Sequence, residues 1–267
     1  VAVIERHRFG GTCVNTGCVP TKTIVASAYV AHMARRAAEY GVTTGPVGVD
    51  MAKVKARKDA IVARGQNGIR SWMTELEGAT VIEGQARFED AHTVRVGDRL
   101  LTADRIFINT GGRALVPRMP GLDHVPYLTN SSILDLDTAP EHLIVVGGSY
   151  IGLEFAQAFR RFGSHVTIVE MADRLIARED EETSEAIATF LAEEGIDVRL
   201  GAKCLAVEGA AGDIRMHLDC TSGDQSVSGT HLLLAVGRRP NTDDLGLDKA
   251  GVAIVMTVAH HLLADAV

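Results

Sequence analysis

The chain has 267 residues, 46% hydrophobic and 23% charged, and its 27 basic against 34 acidic side chains give a net charge of −7. This composition is typical of one large or two modest globular domains, and it excludes disordered, collagen-like and disulfide-scaffold proteins. An acidic chain with neither a basic tract nor an apolar run of about 18 residues predicts no nucleic-acid partner and no membrane partner. Four cysteines are too few for a disulfide framework, which favours a reducing, cytoplasmic location.

The first part of the chain combines short strands with two helices. A β-branched run predicts a strand over 1–4 that ends at Glu5, and helices are expected over 22–40 and 51–76. Short strands joined by Gly and Asp turns are expected at 81–82, 86–88, 93–96 and 99–110. The two prolines of Val116–Gly121 cannot lie inside a helix, so we place a domain boundary after residue 115.

The second part of the chain alternates strands with helices. Strands are expected over 143–146, 165–170, 197–200 and 231–236, with helices over 153–162 and 182–195. Strands that alternate with helices form a parallel sheet, so the predicted class is α/β with a doubly wound sheet.

The segment Gly10–Lys22 carries two cysteines in a glycine-rich run that leads into a predicted helix. Four residues separate Cys13 from Cys18, and a turn between them would allow a disulfide that exchanges two electrons. The positive end of the following helix would favour a thiolate. Two buried, unreactive thiols or half of a zinc site are the alternatives, although no second pair stands at ligand spacing. An iron–sulfur spacing lacks its third cysteine, because position 21 is Thr.

A second motif, Val145–Glu154, follows a predicted strand and opens a predicted helix. In this context Gly147, Gly148 and Gly152 would let the backbone approach the pyrophosphate of a dinucleotide. Ser149 replaces the second glycine of the G-x-G-x-x-G pattern and adds a Cβ where the backbone must come close. A tight structural turn that binds nothing is the alternative interpretation.

Acidic residues end two of the predicted strands. Glu170 follows the glycine motif by about 20 residues, where a carboxylate accepts a hydrogen bond from a ribose 2′-OH and repels a 2′-phosphate. This favours NADH over NADPH, although Arg174 lies close enough in sequence to weaken the preference. Glu5 ends the first run in the same way, so we expect the chain to begin after the first half of another nucleotide-binding unit.

Together these segments resemble the flavin-dependent pyridine nucleotide–disulfide oxidoreductases, the class that includes glutathione reductase, dihydrolipoamide dehydrogenase and mercuric reductase. Gly10–Lys22 is similar to their redox-active disulfide segment, and Gly147–Glu154 is similar to their NAD(P)H turn. Ile108–Gly112 resembles their Thr-Gly segment between domains, and Val236–Asn241 resembles their Val-Gly-Arg-x-Pro-Asn segment. The four motifs stand in the family order over about residues 1–251, and the cysteine run is most similar to mercuric-reductase-like members.

The resemblance implies an FAD-dependent enzyme that passes hydride from NAD(P)H, with NADH favoured, to flavin and then to a Cys13–Cys18 disulfide and an acceptor. In the family pattern Cys18 contacts the flavin as a thiolate, and Cys13 exchanges with the acceptor. Lys22 is expected near flavin N5 with Glu154 as its partner, and Tyr150 is expected to cover the nicotinamide pocket. The other implied cofactor-binding residues are Glu5, Gly10, Gly11, Thr12, Thr110, Gly111, Gly147, Gly148, Gly152, Glu170 and Gly237.

The resemblance also divides the chain into domains. It implies an N-terminally truncated, Rossmann-like FAD-binding domain with a small β-meander over 1–115 and a Rossmann-like NAD(P)-binding domain over 116–245. Residues 246–267 would be a remnant of the FAD domain or an aberrant tail. The FAD pyrophosphate turn and the dimerisation domain of the family have no counterpart here, so the chain is expected to be a fragment of a homodimeric enzyme.

Other interpretations of function stay open. The main rival is a non-catalytic NAD(P)-binding fragment that has lost flavin binding and turnover, and a zinc-bound or purely structural fragment ranks third. No resident metal site is predicted. The electron acceptor is left open as a small molecule, a disulfide or a metal ion, with Hg(II), lipoamide, glutathione and a quinone as examples.

Overall fold

The computed structural model describes residues 1–219 and 225–254 and confirms the mixed α/β class. The helices are α1 (Gly11–Asn15), α2 (Cys18–Arg35), α3 (Met51–Glu75), α4 (Tyr150–Phe162) and α5 (Glu181–Glu193). The strands are β1 (Ala2–Glu5), β2 (Thr80–Glu83), β3 (Ala86–Phe88), β4 (Thr93–Val96), β5 (Arg99–Thr102), β6 (Gly112–Ala114), β7 (His142–Val146), β8 (His165–Val169), β9 (Asp197–Arg199), β10 (Lys203–Ala210), β11 (Asp213–Asp219), β12 (Ser226–Gly229), β13 (His231–Leu234) and β14 (Arg238–Pro240).

The chain divides into two compact units. Unit 1 contains Val1–Asn15, Ala63–Arg113 and the residues from Arg239 onward, and unit 2 contains Thr16–Val62 and Ala114–Arg238. Most of the tail predicted over 246–267 lies outside the described residues, and so does Cys220.

Unit 2 is built on a four-stranded parallel sheet in the order β13–β7–β8–β9. Side chains along a strand alternate between the two faces of a sheet. On one face, Leu143 and Val145 of β7 share a core with Phe155 and Phe159 of α4. Because the other face is covered as well, these strands are nearly continuous runs of Val, Ile and Leu.

The other face of the parallel sheet is covered by an antiparallel sheet that the sequence analysis did not predict. Strands β10, β11 and β12 pair in that order. Ile144 and Val146 of β7 share a core with Ile214 and Met216 of β11. The alternation of Ile214, Met216 and Leu218 with polar residues was the available signal, since one face of β11 is buried and the other is exposed.

Unit 1 is smaller and holds two sheets within the described residues. Strands β1 and β2 form a parallel pair, and β3, β4 and β5 form an antiparallel meander. Its core is the cluster of Phe88, Val94, Leu245 and Leu247. The strand predicted over 99–110 ends at Thr102, because the rest of the segment pairs with no described strand and an unpaired strand leaves its backbone groups unsatisfied.

Two helices begin earlier than the sequence predicts. Helix α2 begins at Cys18 and α4 begins at Tyr150, in each case inside a predicted glycine-containing motif. The apolar periodicity used for the prediction starts only where a helix packs against the core, and the first turn of each helix precedes that point. Cys18 and Tyr150 therefore occupy the first helical position, next to the positive end of the helix dipole.

No helix within the described ranges is both long enough and apolar enough to cross a bilayer.

The core of unit 2 gives a direct test of the fold. Phe159 has 0% of its surface exposed, whereas Phe190 on α5 is 58% exposed. We expect Phe159→Ala to lower the free energy of unfolding by about 3–5 kcal/mol, because it leaves a cavity. Phe190→Ala is the matched control, with a change within about 0.5 kcal/mol in the same denaturant titration. Equal losses in the two variants would contradict the packing described for α4.

Candidate active site

The cysteine segment in unit 1 turns at two glycines. Gly10 and Gly11 have φ of +94° and +58°, a region that other residues rarely adopt. A Cβ on Gly10 would also lie 2.6 Å from the Cβ of Val14. The segment then forms α1, from which the side chain of Cys13 is exposed to solvent.

Asn15, at the end of α1, stabilises this turn through side-chain hydrogen bonds. Its Nδ2 donates to the carbonyl oxygens of Phe9 at 2.9 Å and Gly11 at 2.7 Å. Its Oδ1 accepts a hydrogen bond from Nε2 of Gln66 on α3. No local signal marks the contact between Asn15 and Gln66, because the two positions are 51 residues apart.

The second cysteine and the predicted lysine lie on α2 in unit 2. Cys18 is the first residue of that helix, and its side chain is exposed. One turn later, Nζ of Lys22 donates to Oε1 of Glu154 on α4. Both partners are accessible to solvent, and such a pair contributes about 1 kcal/mol or less to stability. The pair therefore orients the lysine more than it holds the fold together.

A buried asparagine supports the residues between the cysteines from the side of unit 2. Asn130 is 6% exposed, and its Nδ2 donates to the carbonyl oxygen of Thr16 at 2.9 Å. A buried amide that donates to a backbone carbonyl oxygen in this way fixes the backbone just before the first residue of α2. The sequence analysis did not identify Asn130, since it lies outside every recognised motif.

The glycine turn between β7 and α4 is closely packed. A Cβ on Gly147 would lie 2.5 Å from the carbonyl oxygen of Ala235, and a Cβ on Gly152 would lie 2.0 Å from the carbonyl oxygen of Gly147. Ser149 occupies the position of the missing second glycine with φ of −106° and ψ of −178°. This is extended backbone that any residue adopts, so the serine is compatible with the turn.

Glu170 lies directly after β8 and faces the same turn. Its carboxylate accepts hydrogen bonds from the backbone N–H of Gly148 at 2.5 Å and of Ala172 at 2.8 Å. A Cβ on Gly148 would lie 3.0 Å from the Cβ of Glu170, so this glycine is needed for the carboxylate to reach the turn. The structure thus brings together the predicted glycines and the predicted acid.

A loop after Glu170 returns to the glycine turn and meets Tyr150. The hydroxyl of Tyr150 donates to Oε1 of Glu179, and this hydrogen bond raises the pKa of Tyr150 above its usual range. Ile176 donates its N–H to the carbonyl oxygen of Gly148 at 2.9 Å and has φ of +40°. Positive φ is strained for a β-branched residue, and such strain concentrates at functional sites. Nothing in the local sequence indicates the positive φ of Ile176.

The predicted Thr-Gly segment is paired with an asparagine in unit 1. The hydroxyl of Thr110 donates to the carbonyl oxygen of Asn241 at 2.9 Å, and Nδ2 of Asn241 donates back to the carbonyl oxygen of Thr110 at 3.0 Å. Gly111 has φ of +67°, and its own carbonyl oxygen accepts from the N–H of Asn241 at 3.0 Å. The hydroxyl of Thr12 is 3.7 Å from where a Cβ on Gly111 would stand. Parts of three predicted motifs therefore adjoin in this unit, since Asn241 ends the Val236–Asn241 segment and Thr12 belongs to the cysteine segment.

The remaining predicted residues occupy strand ends and turns. Oε1 of Glu5, at the end of β1, accepts from the N–H of His7 at 2.7 Å and of Arg8 at 3.3 Å. In unit 2, the carbonyl oxygen of Gly237 accepts from the N–H of Leu115 at 3.0 Å, and Gly237 has φ of +134°. These positions fix backbone direction at the edges of the two units.

A third cysteine is chemically distinct from the first two. Burial raises the pKa of the Cys204 thiol to about 12, so it stays protonated near neutral pH. Across residues 1–219 and 225–254, no three His, Cys, Asp or Glu side chains come together in a way that could hold a metal ion.

Comparison with known proteins identifies the family. The family model of the pyridine nucleotide-disulphide oxidoreductases matches residues 1–259. A mercuric reductase from Bacillus cereus is 38% identical over 255 residues, which cover 95% of this chain and 40% of that protein. The probable pyridine nucleotide-disulfide oxidoreductase RclA of Escherichia coli is 35% identical over 261 residues, covering 95% of this chain and 54% of that protein.

A solved structure extends the similarity to three dimensions. The Cu(II) complex of the HOCl-induced flavoprotein disulfide reductase RclA from Escherichia coli has a TM-score of 0.82 and 34% sequence identity. The match covers 96% of this chain and 55% of that chain. The chain therefore belongs to the pyridine nucleotide-disulphide oxidoreductases, a family of enzymes, as the four motifs predicted. It spans about half the length of the relatives it matches.

The close packing of the glycine turn can be tested with a pair of alanine substitutions. Gly152→Ala forces a Cβ against the carbonyl oxygen of Gly147, and we expect a loss of about 1–3 kcal/mol in unfolding free energy. Gly68→Ala, in open space on α3, is the control and should gain about 0.5–1 kcal/mol from helix propensity. Thermal unfolding followed by circular dichroism measures both. A neutral Gly152→Ala would mean that the turn is not as tight as described.

Proposed function

We propose that this chain is part of an FAD-dependent NAD(P)H:disulfide-type oxidoreductase similar to mercuric reductase. One observation supports the proposal most strongly. Lys22, one turn after Cys18, is ion-paired with Glu154 in the first turns of the helix that follows the glycine motif. The predicted thiol helix and the predicted nucleotide helix are thus joined through two charged side chains of one unit.

The glycine turn fits a pyridine dinucleotide. Close backbone packing leaves no room for a Cβ at Gly147 or Gly152, and Ser149, the N-cap residue of α4, makes no side-chain capping hydrogen bond. The N–H groups of its first turn can therefore donate to pyrophosphate oxygens. Glu170 would accept the ribose hydroxyls, and Tyr150 would cover the nicotinamide. On this proposal residues 116–245 form a Rossmann-like NAD(P)-binding domain, and residues 116–238 of it lie in unit 2.

Residues of unit 1 fit part of an FAD site. Glu5 ends a parallel strand, and Oε1 alone accepts the two backbone hydrogen bonds, so Oε2 can accept a ribose hydroxyl. The positive φ of Gly10, Gly11 and Gly111 lets the backbone pass close to a ligand, and Thr12 adjoins Gly111. We assign these residues with Thr110 and Gly237 to cofactor binding, and residues 1–115 to an FAD-binding-type domain.

FAD, when bound, would supply two-electron chemistry between the nicotinamide and the protein thiols. The residues of this chain would pass those two electrons on to the acceptor. Reduction of a Cys13–Cys18 disulfide breaks the S–S bond, consumes two electrons and two protons, and leaves two thiols. Cys13, exposed on α1, would then attack the acceptor. Lys22 would hold a positive charge beside Cys18, and Glu154 would keep that ammonium in place.

The acceptor and the assembly belong to the whole protein. A small disulfide, a metal ion such as Hg(II) or another small oxidant each fits an exposed nucleophilic thiol, and the homodimer of the family is the proposed assembly. The second candidate function is a non-catalytic NAD(P)-binding fragment, which the intact glycine turn would serve even without flavin. Visible absorption of the purified chain separates the two functions. Only the first function requires bound flavin, which would make the protein yellow.

The proposed role of Cys18 has a spectroscopic test. We expect anaerobic reduction of the FAD-loaded chain by NADH to give a long-wavelength band from the thiolate–flavin pair. Cys18→Ser should abolish this band, while Cys204→Ser, which removes a partly buried and protonated thiol, should keep it. A band that persists in Cys18→Ser would overturn the assignment, and a colourless chain would favour the non-catalytic alternative.

The proposed NADH preference depends on Glu170. We expect Glu170→Ala to reduce the ratio of NADH to NADPH affinity about tenfold, since it removes a hydroxyl acceptor and a charge that repels the 2′-phosphate. Quenching of intrinsic fluorescence by each nucleotide measures the affinities and does not require flavin. Asp173→Ala removes an exposed charge three residues away and serves as the control. An unchanged ratio in Glu170→Ala would contradict the assignment.

A further inference from the structure

The turn that carries Cys13 receives little support from its own helix. Helix α1 has five residues, far fewer than the roughly 12–15 at which an isolated helix becomes marginally stable. The N–H of Val14 donates to the carbonyl oxygen of Gly10 at 3.4 Å, near the upper limit for a hydrogen bond. Two glycines with positive φ precede it and add backbone freedom in the unfolded chain. Other contacts must therefore hold this turn in one conformation.

The second half of α3 supplies those contacts within unit 1. Gly65 packs against Val14, since a Cβ at Gly65 would lie 3.1 Å from its Cγ1. The guanidinium of Arg70 lies 5.6 Å from the ring centroid of Phe9, close enough for a cation–π interaction. The missing side chain of Gly65 therefore lets the cysteine turn approach α3.

Gln66 makes the one directional contact in this set. Its Nε2 donates to Oδ1 of Asn15, and the Nδ2 of Asn15 donates to the carbonyl oxygens of Phe9 and Gly11. If the Asn15 carboxamide rotated by half a turn, its oxygen would face two carbonyl oxygens and both bonds would be lost. A donor at position 66 therefore stabilises the same orientation of the Asn15 carboxamide that the two carbonyl oxygens favour.

We propose that Gln66 is a positioning residue for Cys13. Through the carboxamide of Asn15 it fixes the backbone of residues 9–15, and thereby the direction in which α1 presents the Cys13 thiol. The chemical importance of this thiol rests on the proposed function. Because Gln66 acts through Asn15, its substitution should alter the geometry and reactivity of Cys13 without removing a reacting group.

Three substitutions of the full chain separate this role from general destabilisation. Gln66→Glu keeps the shape but loses the donor near neutral pH, whereas Gln66→Lys keeps a donor at this position. Asn67→Glu adds the same negative charge at the neighbouring exposed position of α3 and is the matched control. The first readout is hydrogen exchange of the peptide that contains residues 9–15. The second is the rate of alkylation of Cys13 by iodoacetamide between pH 6 and 9, followed by mass spectrometry of the reduced chain.

The donor hypothesis predicts a definite order. Gln66→Glu should speed exchange in residues 9–15 about tenfold and change the Cys13 alkylation rate at least threefold, with thermal unfolding still cooperative. Gln66→Lys should exchange like the parent chain, and Asn67→Glu should match the parent in both readouts. The proposal is overturned if Gln66→Glu and Asn67→Glu behave alike, or if Gln66→Lys exchanges as fast as Gln66→Glu.

These outcomes are independent of the proposed function. If NADH never reduces the cysteines but Gln66→Glu still frees the turn, the electron relay is wrong and the positioning role stands. If the chain shows NADH-dependent reduction of its thiols while Gln66→Glu leaves exchange and alkylation unchanged, the relay stands and the positioning role is wrong.

Discussion

Burial of the parallel sheet on both of its faces is the constraint on which the rest of unit 2 depends. Strands β7, β8 and β13 pack against helices on one side and against an antiparallel sheet on the other, so almost every position must be apolar. Polar chemistry is thereby confined to the places where the strands end. The glycine turn and Glu170 lie at such ends, because the backbone there leaves the sheet and exposes its N–H groups.

The site residues fall into two physical kinds. Glycines such as Gly147 and Gly152 are fixed by space, since a Cβ at either would overlap a backbone carbonyl oxygen. Charged residues such as Lys22, Glu154 and Glu170 are fixed by partners that come from other elements of the same unit. The first kind leaves a trace in the local sequence, because only one residue type fits. The second kind leaves none, because a lysine or glutamate is acceptable on most exposed helix faces.

This difference accounts for what the sequence could and could not predict. The alternation of strands with helices and the glycine turn before α4 followed from periodicity and residue type alone. The pairing of Lys22 with Glu154 was expected only from the family resemblance. The contact between Asn15 and Gln66 and the strained φ of Ile176 arise from tertiary packing, which no local pattern encodes. Residues 103–110 show the opposite error: Phe107 lies in an apolar run typical of a strand, yet it is 88% exposed because no described strand pairs with it.

The environment of Glu170 shows how one carboxylate can serve both structure and selectivity. Two backbone N–H groups hold it against the glycine turn, so it cannot swing away from an incoming nucleotide. A 2′-phosphate about 4 Å from a fixed carboxylate meets a repulsion of about 1 kcal/mol per charge where water screens the pair. Arg174 is the nearby group that could offset this repulsion, but its guanidinium donates to the carbonyl oxygen of Ala177 at 3.0 Å. Its remaining donors would have to overcome the repulsion between Glu170 and a 2′-phosphate, whereas a ribose hydroxyl meets no such repulsion, and this asymmetry is the physical basis of the proposed NADH preference.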